Sequence, residues 1–344
     1  MAKNDMLSAA KRAKKDEFYT RIQEIEAELI HYRPQFKGKT VFLNCDDPTH
    51  SAFWRHFHLL FNVYGLKKLI ATHYEYDESA HSYAMVYEGG SDNDILTGTR
   101  IELEGNGDFR SDECIEFLKE SDIVVTNPPF SLFREYVAQL IEYDKNFLII
   151  GNMNAVTYKE VFPLIKDDKL WIGTSIHSGD RPFYVPDDYP LNATGCGIDD
   201  MGRRYIRVKG VRWYTNLDVK QRHEELFLSS TYYKKDGSVP QTSLERWPRY
   251  DNYDAIEVSK TKDIPVDYAG VMGVPITFLD KYNPDQFEII GASDNGAVSD
   301  EYKLPWPRPH NEPYVNGKKR YKRLFICARH PHPAGVPVVF DEYE

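Results

Sequence analysis

Two consecutive prolines, Pro128 and Pro129, follow one residue after the β-branched run Ile123, Val124, Val125 and Thr126, and this junction limits the fold more than any other feature of the chain. The run has the character of a short strand buried on both faces of a sheet. A diproline continues neither a strand ladder nor a helix, so the backbone has to leave the sheet stiffly here. Asn127 and Phe130 are thereby fixed at the strand's carboxyl end, where open α/β sheets bind ligands. Leu132, Phe133, Tyr136, Val137 and Leu140 then share one side of a predicted helix.

The chemistry suited to this corner is transfer to an exocyclic amino group. The lone pair of such a nitrogen is delocalised into its ring, and two acceptors holding its hydrogens push it toward a tetrahedral, nucleophilic form. The Asn127 side-chain carbonyl and the Pro128 backbone carbonyl can be those acceptors. Phe130 offers a face on which a flipped-out base can stack. With the first position widened to Asp, Asn or Ser and the last to any aromatic, average usage gives a chance match in roughly one chain of this length in a hundred. The plainer alternative is a strand-end turn with a core phenylalanine.

The 344 residues suffice for one elaborated α/β domain or for two domains, and 24 Tyr, 18 Phe and 5 Trp supply aromatic surface for stacking as well as packing. Cys45, Cys114, Cys196 and Cys327 lack paired spacing, which argues against a zinc site or a disulfide framework. No long apolar run and no signal-peptide core occurs, so the expectation is a cytoplasmic protein without membrane or metal partners. A net charge of −10 is unfavourable for contact with phosphates, but local distribution matters more than the sum. Basic residues gather at Lys11 to Lys15, Arg203 to Arg212, Lys220 to Arg222 and Lys318 to Arg323, interleaved with aromatics. Any one cluster reads as a solvated face; together they favour a nucleic-acid track.

Along the chain, Phe18 and Tyr19 precede Ile22, Ile25, Leu29 and Ile30 at helical spacing, with Thr20 as a candidate cap. Lys39 to Asn44 reads as the first strand, ending in C-D-D-P-T-H-S before a helix carrying Phe53, Phe57, Leu60 and Phe61. Asn44, Asp46 and Asp47 crowd acceptors at the strand tip, where a cationic or hydroxyl-bearing ligand is a better guest than pyrophosphate. One of the two aspartates is expected to cap the helix. A second strand, Lys67 to His73, leads to Glu75, placed where doubly wound nucleotide folds hold ribose hydroxyls; Asp77 is the alternative. Nearby histidines (His50, His56, His58, His73, His81) match no metal spacing. After a strand at Arg100 to Leu103, Gly105 and Gly107 permit a tight turn that leaves Asp108 and Phe109 at its edge.

Asn146 to Gly151 and Leu170 to Thr174 read as further strands and Tyr158 to Ile165 as a helix, so strands alternate with helices and the sheet is expected to be parallel. Tyr205 to Tyr214 alternates like a hairpin about Gly210. The expected division is a doubly wound, Rossmann-like α/β domain over residues 1–215 and a recognition region over 216–344.

These residues together resemble the S-adenosylmethionine-dependent amino methyltransferases, most closely the adenine-specific DNA methyltransferases of the EcoRI type, over most of the chain. N-P-P-F at Asn127 to Phe130 is similar to their catalytic motif, and F-L-N-C-D-D-P at Phe42 to Pro48 to a cofactor loop without its usual glycines. K-D-E-F-Y-T at Lys15 to Thr20 and G-D-F at Gly107 to Phe109 resemble segments at the methionine and adenine ends of the cofactor, and Val274 to Gly291 is also typical of the group. The resemblance implies N6-methylation of a flipped adenine in duplex DNA, with a place in restriction-modification; a monomer is the expectation for its assembly. Catalytic roles fall to Asn127, Pro128, Pro129 and Phe130. Cofactor contacts fall to Phe18, Tyr19, Thr20, Asn44, Asp46, Asp47, Glu75, Asp108, Phe109 and Asn127. DNA contacts fall to Arg203, Arg204, Arg207, Lys209, Arg212, Lys318, Lys319 and Arg320.

Rival expectations are transfer to cytosine N4, to RNA adenine or to a glutamine amide, and a non-catalytic DNA-binding protein on the same fold. The missing G-x-G-x-x-G, G-K-[ST] and H-E-x-x-H patterns weigh against dehydrogenase, nucleotidase and metalloprotease readings.

Overall fold

The computed structural model of the protein describes residues 18–75, 81–90, 94, 97–187, 189–192, 194–293 and 312–336. The basic run Lys11 to Lys15 and the alternative acid Asp77 lie outside the described residues. The chain divides into two compact units, Met1–Met153 with Trp171–Val219, and Asn154–Leu170 with Lys220–Glu344. Neither unit is contiguous in sequence, because residues 154–170 group with the C-terminal one.

The strands of the first unit are β1 (Thr40–Leu43), β2 (Lys68–Thr72), β3 (Tyr83–Tyr87), β4 (Thr99–Glu102), β5 (Ile123–Thr126), β6 (Asn146–Asn152), β7 (Trp171–Ile172), β8 (Asp180–Tyr184), β9 (Gly197–Ile198), β10 (Arg204–Lys209) and β11 (Val211–Thr215). Eight of them form one sheet in the order β4-β3-β2-β1-β5-β6-β11-β7. β2, β1, β5 and β6 run parallel, and their fully buried runs fit a sheet covered on both faces. The flanking strands are antiparallel, so the expectation of a parallel sheet gives way to a mixed one. Between β2 and β3 the physical reason is connection length: residues 73–82 fall short of the dozen or so that a parallel crossover needs.

The covering helices are α1 (Ile22–Leu29), α2 (Ala52–Leu59), α3 (Asp112–Glu120) and α4 (Phe133–Glu142). Phe53 and Phe57 of α2 enter a core with Trp213 and Leu69, and α4 buries Phe133, Tyr136, Val137 and Leu140, the side read from the sequence. Burying side chains of this size contributes about 2–3 kcal/mol each. Both expected caps are corrected. Arg21, not Thr20, sits at the start of α1, without a side-chain cap bond. Ser51, not Asp46 or Asp47, caps α2, accepting from the backbone N–H groups of Phe53 and Trp54. The turn after β1 uses up Asp47, whose carbonyl accepts from His50 and Ser51. On the buried side of α1, the Glu28 carboxylate accepts from the Tyr32 hydroxyl at 2.8 Å and from Thr174 and Ser175 N–H at 2.8 and 2.7 Å.

The expected hairpin about Gly210 does not form. β10 pairs with β8 and β9 in a separate three-stranded sheet, whereas β11 joins the large sheet between β6 and β7. Gly210, at φ 70°, is the corner where the chain passes from one sheet to the other.

The second unit holds α5 (Phe162–Lys166), α6 (Gln241–Arg246), β12 (Ile256–Glu257), β13 (Met272–Pro275), β14 (Phe287–Ala292), β15 (Tyr314–Val315), β16 (Lys318–Lys319) and β17 (Arg323–Ala328). Its main sheet has the order β12-β13-β17-β14, with β15 and β16 as a small hairpin. Glu257 and Arg323 form a buried ion pair at 2.6 Å, joined by the Tyr250 hydroxyl. Among the described residues no helix is long and apolar enough to cross a membrane.

One glycine braces the tip of β2. Gly107 has φ 78°, and a Cβ there would lie 1.9 Å from the His73 carbonyl oxygen. This close approach lets Glu75 N–H donate to the Asn106 carbonyl at 2.8 Å. At Gly105 an added Cβ would meet only the Glu113 carboxylate at 3.5 Å. Gly107→Ala is therefore expected to destabilise the protein by more than about 2 kcal/mol, and Gly105→Ala by less than about 1 kcal/mol. Urea unfolding of the two variants checks this, and equal effects would rule out the brace.

Candidate functional site

The chain leaves β1 toward β2 on one side, and β5 lies on the other, so the sheet's topological switch point falls between the carboxyl ends of β1 and β5. A crevice opens at such a point in doubly wound sheets. Here it is a cavity of about 350 Å³ whose walls include Cys45, Asp46 and Asp47 after β1, His73 to Glu75 after β2, and Asn127 after β5. Its size lies within the range that holds small organic ligands, about 300–1,000 Å³. Phe18 to Thr20 close it from the N-terminal side, held by paired backbone bonds of 2.9 Å between Tyr19 and Tyr184.

The orientation of Asn127 is set by a backbone group. Its Nδ2 donates to the Phe18 carbonyl at 2.5 Å, and a carbonyl can only accept, so Oδ1 is the atom on the other side. That oxygen is buried and has no hydrogen-bond partner among the described residues, and the same holds for Thr20 Oγ1. Buried polar atoms are normally paired, and two orphans on the wall of one cavity mark places for ligand atoms. The Phe130 ring is half-buried and meets Phe18 edge-to-face at 6.3 Å between centroids.

Carboxylates dominate the electrostatics. Burial pushes the Asp46 carboxyl up to about 7 and adjacent Asp47 adds to the rise, against hydrogen bonds from the Ser51 hydroxyl and the Trp54 backbone. Burial acts to raise Asp47 as well, but donors from Thr49, Tyr83 and His50 outweigh it and hold that carboxyl below its ordinary value. His73 lies between Asp47 and Glu75, with ring nitrogens 3.7 and 3.6 Å from their oxygens. Cys45 has φ 58°, a left-handed conformation that favours glycine, in the loop that lacks glycines. A non-glycine residue there carries roughly 1 kcal/mol of strain. Acids, two orphaned acceptors and no phosphate cradle suit a cationic ligand with hydroxyls.

Several expected residues lie elsewhere. Asn44 is fully buried beneath the strand tips, where its Oδ1 accepts from the Thr72 hydroxyl at 3.0 Å and its carbonyl from Thr126. Phe109 is packed edge-to-face against Tyr136 rather than exposed at the turn, and Asp108 pairs with Arg110 at 2.7 Å. Neither is among the described residues lining the cavity. Pro128 and Pro129 are buried, and neither they nor Phe130 are among the described residues lining the cavity. Sequence reading missed His73, Tyr74, Pro186 and Tyr189 as lining residues. His73 and Tyr74 adjoin the expected Glu75 and were within reach of the same strand-tip logic. Pro186 and Tyr189 arrive from after β8, and no local signal marks them.

Among the basic residues, Arg212 is corrected outright. It is 3% exposed and donates to the Val211 and His177 carbonyls, because β11 is an interior strand and not an outer hairpin arm. Arg203 pairs with Asp199 at 2.8 Å and lies 4.2 Å over the Tyr184 ring, and Arg207 pairs with Asp180 at 3.2 Å. Arg204 donates to the Tyr189 carbonyl at 2.8 Å. Lys209, Lys318 and Lys319 are exposed, Lys319 with Glu312 at 2.7 Å, and Arg320 is half-buried.

Residues 6–329 match the family described as adenine-specific methyltransferase EcoRI. The chain is 50% identical over 335 residues to the Type II methyltransferase M.EcoRI of Escherichia coli, covering 94% of this chain and 97% of that protein. It is 40% identical over 323 residues to the Type II methyltransferase M.MgeORF184P of Mycoplasma genitalium, covering 92% and 96%. It is also 40% identical over 326 residues to the Type II methyltransferase M.MpnI of Mycoplasma pneumoniae, covering 93% and 97%. No solved structure matches the chain.

The Asp46 carboxyl titrates higher in the folded protein than in the unfolded chain, where its value is 3.8. The folded state therefore binds the extra proton, and the associated stability is full below pH 3.8 and lost as pH rises through about 7. Asp46→Asn is expected to flatten this decline, on the order of a few kcal/mol, in unfolding free energies measured from pH 4 to 8. An unchanged slope would place the titration elsewhere.

Proposed function

We propose a reaction from one premise: the chain belongs to the EcoRI family of adenine-specific methyltransferases. The reaction is methylation of adenine N6 in duplex DNA, with S-adenosylmethionine as donor and the target base turned out of the helix. The observation that carries this reading is Asn127 in the wall of an acid-lined cavity at the switch point, with its amide oxygen buried and unpartnered among the described residues.

Thr20, Asp46, Asp47, Tyr74 and Glu75 would hold the donor, since their acceptors suit a cation and ribose hydroxyls. S-Adenosylmethionine, when bound, supplies an electrophilic methyl group on a sulfonium. Asn127 Oδ1 and the Pro128 carbonyl accept the two amino hydrogens of adenine, which draws the nitrogen lone pair out of the ring and aims it at the methyl carbon. The diproline keeps the second acceptor rigid, and the Phe18 carbonyl stops the Asn127 amide from turning over. Phe130 stacks on the extruded base, offsetting the few kcal/mol of unstacking.

The first unit is the catalytic domain and the second the target-recognition region. Arg204, Arg207 and Lys209 on β10, with Arg203 just before it, contact phosphates from the first unit. Lys318, Lys319 and Arg320 do so from the second. Three relatives carry the name Type II methyltransferase, which supports a place in restriction-modification.

Transfer of a labelled methyl group to duplex oligonucleotides tests the reading: label is expected at adenine N6, and label at cytosine N4 or only in RNA would replace the acceptor. Asn127→Ala should lower kcat about a hundred- to a thousandfold, with donor affinity kept within about threefold. Near-normal turnover would remove Asn127 from the mechanism. Lys318→Ala combined with Lys319→Ala should weaken DNA binding and reduce the slope of log affinity against log salt by about 2. An unchanged slope in filter-binding titrations would take the hairpin out of the DNA interface.

A further inference from the structure

Asp46, Asp47 and Glu75 line the cavity beside Asn127, and none of its described lining residues is a lysine or arginine. The three acids differ in what surrounds them. Asp47 is occupied by Thr49 N–H and hydroxyl at 2.9 and 2.8 Å, the Tyr83 hydroxyl at 2.8 Å and His50 at 3.1 Å. Glu75 is a third exposed and 3.6 Å from His73. Asp46 is 8% exposed, and its hydrogen bonds come from neutral donors, the Ser51 hydroxyl and the Trp54 backbone. Its charge is the least balanced and the least screened of the three. Thr20 Oγ1 and Asn127 Oδ1, buried and unpartnered among the described residues, independently mark the same cavity as a ligand site.

We infer that Asp46 is the residue by which this cavity distinguishes the sulfonium donor from the thioether left after methyl transfer. The inference rests on the S-adenosylmethionine reading above. Donor and product share the adenosine and the amino acid, so contacts to those parts cancel in any comparison. What remains is one methyl group and one positive charge. A buried carboxylate responds to that charge strongly, because little water lies between to screen it, whereas a partly exposed or fully hydrogen-bonded one responds weakly.

The same burial couples recognition to a proton. With its carboxyl raised to about 7, Asp46 is partly protonated near neutral pH, and a cation beside it favours the ionised form. Donor binding then releases a proton that thioether binding does not. After transfer Asp46 recovers its proton, and the hold on the product loosens. The other ionisable groups facing Asp46 are Asp47, Cys45 and Tyr136, with His50, His73 and Glu75 around the cavity. His50 and His73 both lie within reach of Asp47, beside Asp46, so the effect has to be assigned by substitution.

Calorimetric titration of the full chain with S-adenosylmethionine and with S-adenosylhomocysteine, at pH 6 and 8 and in two buffers of different ionisation enthalpy, reads both affinity and protons released. The donor-to-product affinity ratio is expected to rise about tenfold from pH 6 to pH 8, as Asp46 goes from mostly protonated to mostly ionised. Proton release should accompany the donor alone. Asp46→Asn should bind both ligands with a ratio that no longer depends on pH. A wild-type ratio independent of pH, equal proton release with both ligands, or an Asp46→Asn variant that keeps the pH dependence would each overturn the inference while leaving the donor reading intact. Failure of both ligands to bind the wild type would overturn both. Should Asp46→Asn fail to fold, the same titrations of His50→Gln and His73→Gln decide: a pH dependence that survives both substitutions supports Asp46, and one lost with either overturns the inference.

Discussion

One hydrogen bond, donated by the Asn127 side-chain amide to the carbonyl of Phe18, settles which way round the amide sits in the cavity wall. An asparagine amide offers an acceptor and a donor of nearly equal size, and only its partner tells them apart. The carbonyl that does so lies 109 residues earlier in the chain. It is held in turn by the two Tyr19–Tyr184 backbone bonds and by contacts of the Phe18 ring with Phe130, Phe183 and Tyr189. The side chain at the carboxyl end of β5 is thus oriented by a segment outside the large sheet, and the two segments line one cavity.

The loop after β1 does in acids what many nucleotide folds do in glycines. A glycine-rich turn presents N–H groups to phosphate, whereas this loop presents carboxylates, one of them buried and close to neutrality in its titration. The backbone still takes the left-handed bend at Cys45 that a glycine would take more easily. Geometry is retained and chemistry inverted, consistent with a guest that is positively charged rather than anionic.

Much of this was legible in the chain because it rests on local rules. The β-branched run and the diproline marked the end of β5, the acid after β2 was found at the cavity, and α4 buried the side its spacing indicated. What could not be read depended on the partner of each element. Alternation from Tyr205 to Tyr214 is the same whether two strands face each other or belong to different sheets, and the glycine corner between them permits either. Arg212 looked like part of a basic surface only because the hairpin was assumed. Asn44, read at the tip of the first strand, and Phe109, read at the edge of a turn, are both buried by neighbours far away in sequence. The caps were misassigned by a few residues, because Asp47 could serve a turn or a helix and Ser51 stood next in line.

The interleaved units bear on the order in which the chain can assemble. Residues 154–170 emerge from the ribosome before any strand of the sheet they belong with, and α5 has to wait for β14, more than a hundred residues later. β7 and β11 meanwhile complete the large sheet by Thr215, around a segment whose own home does not yet exist. During synthesis the large sheet can therefore close while carrying an unsatisfied loop, and a break made after Val219 would strand that loop permanently on the wrong fragment.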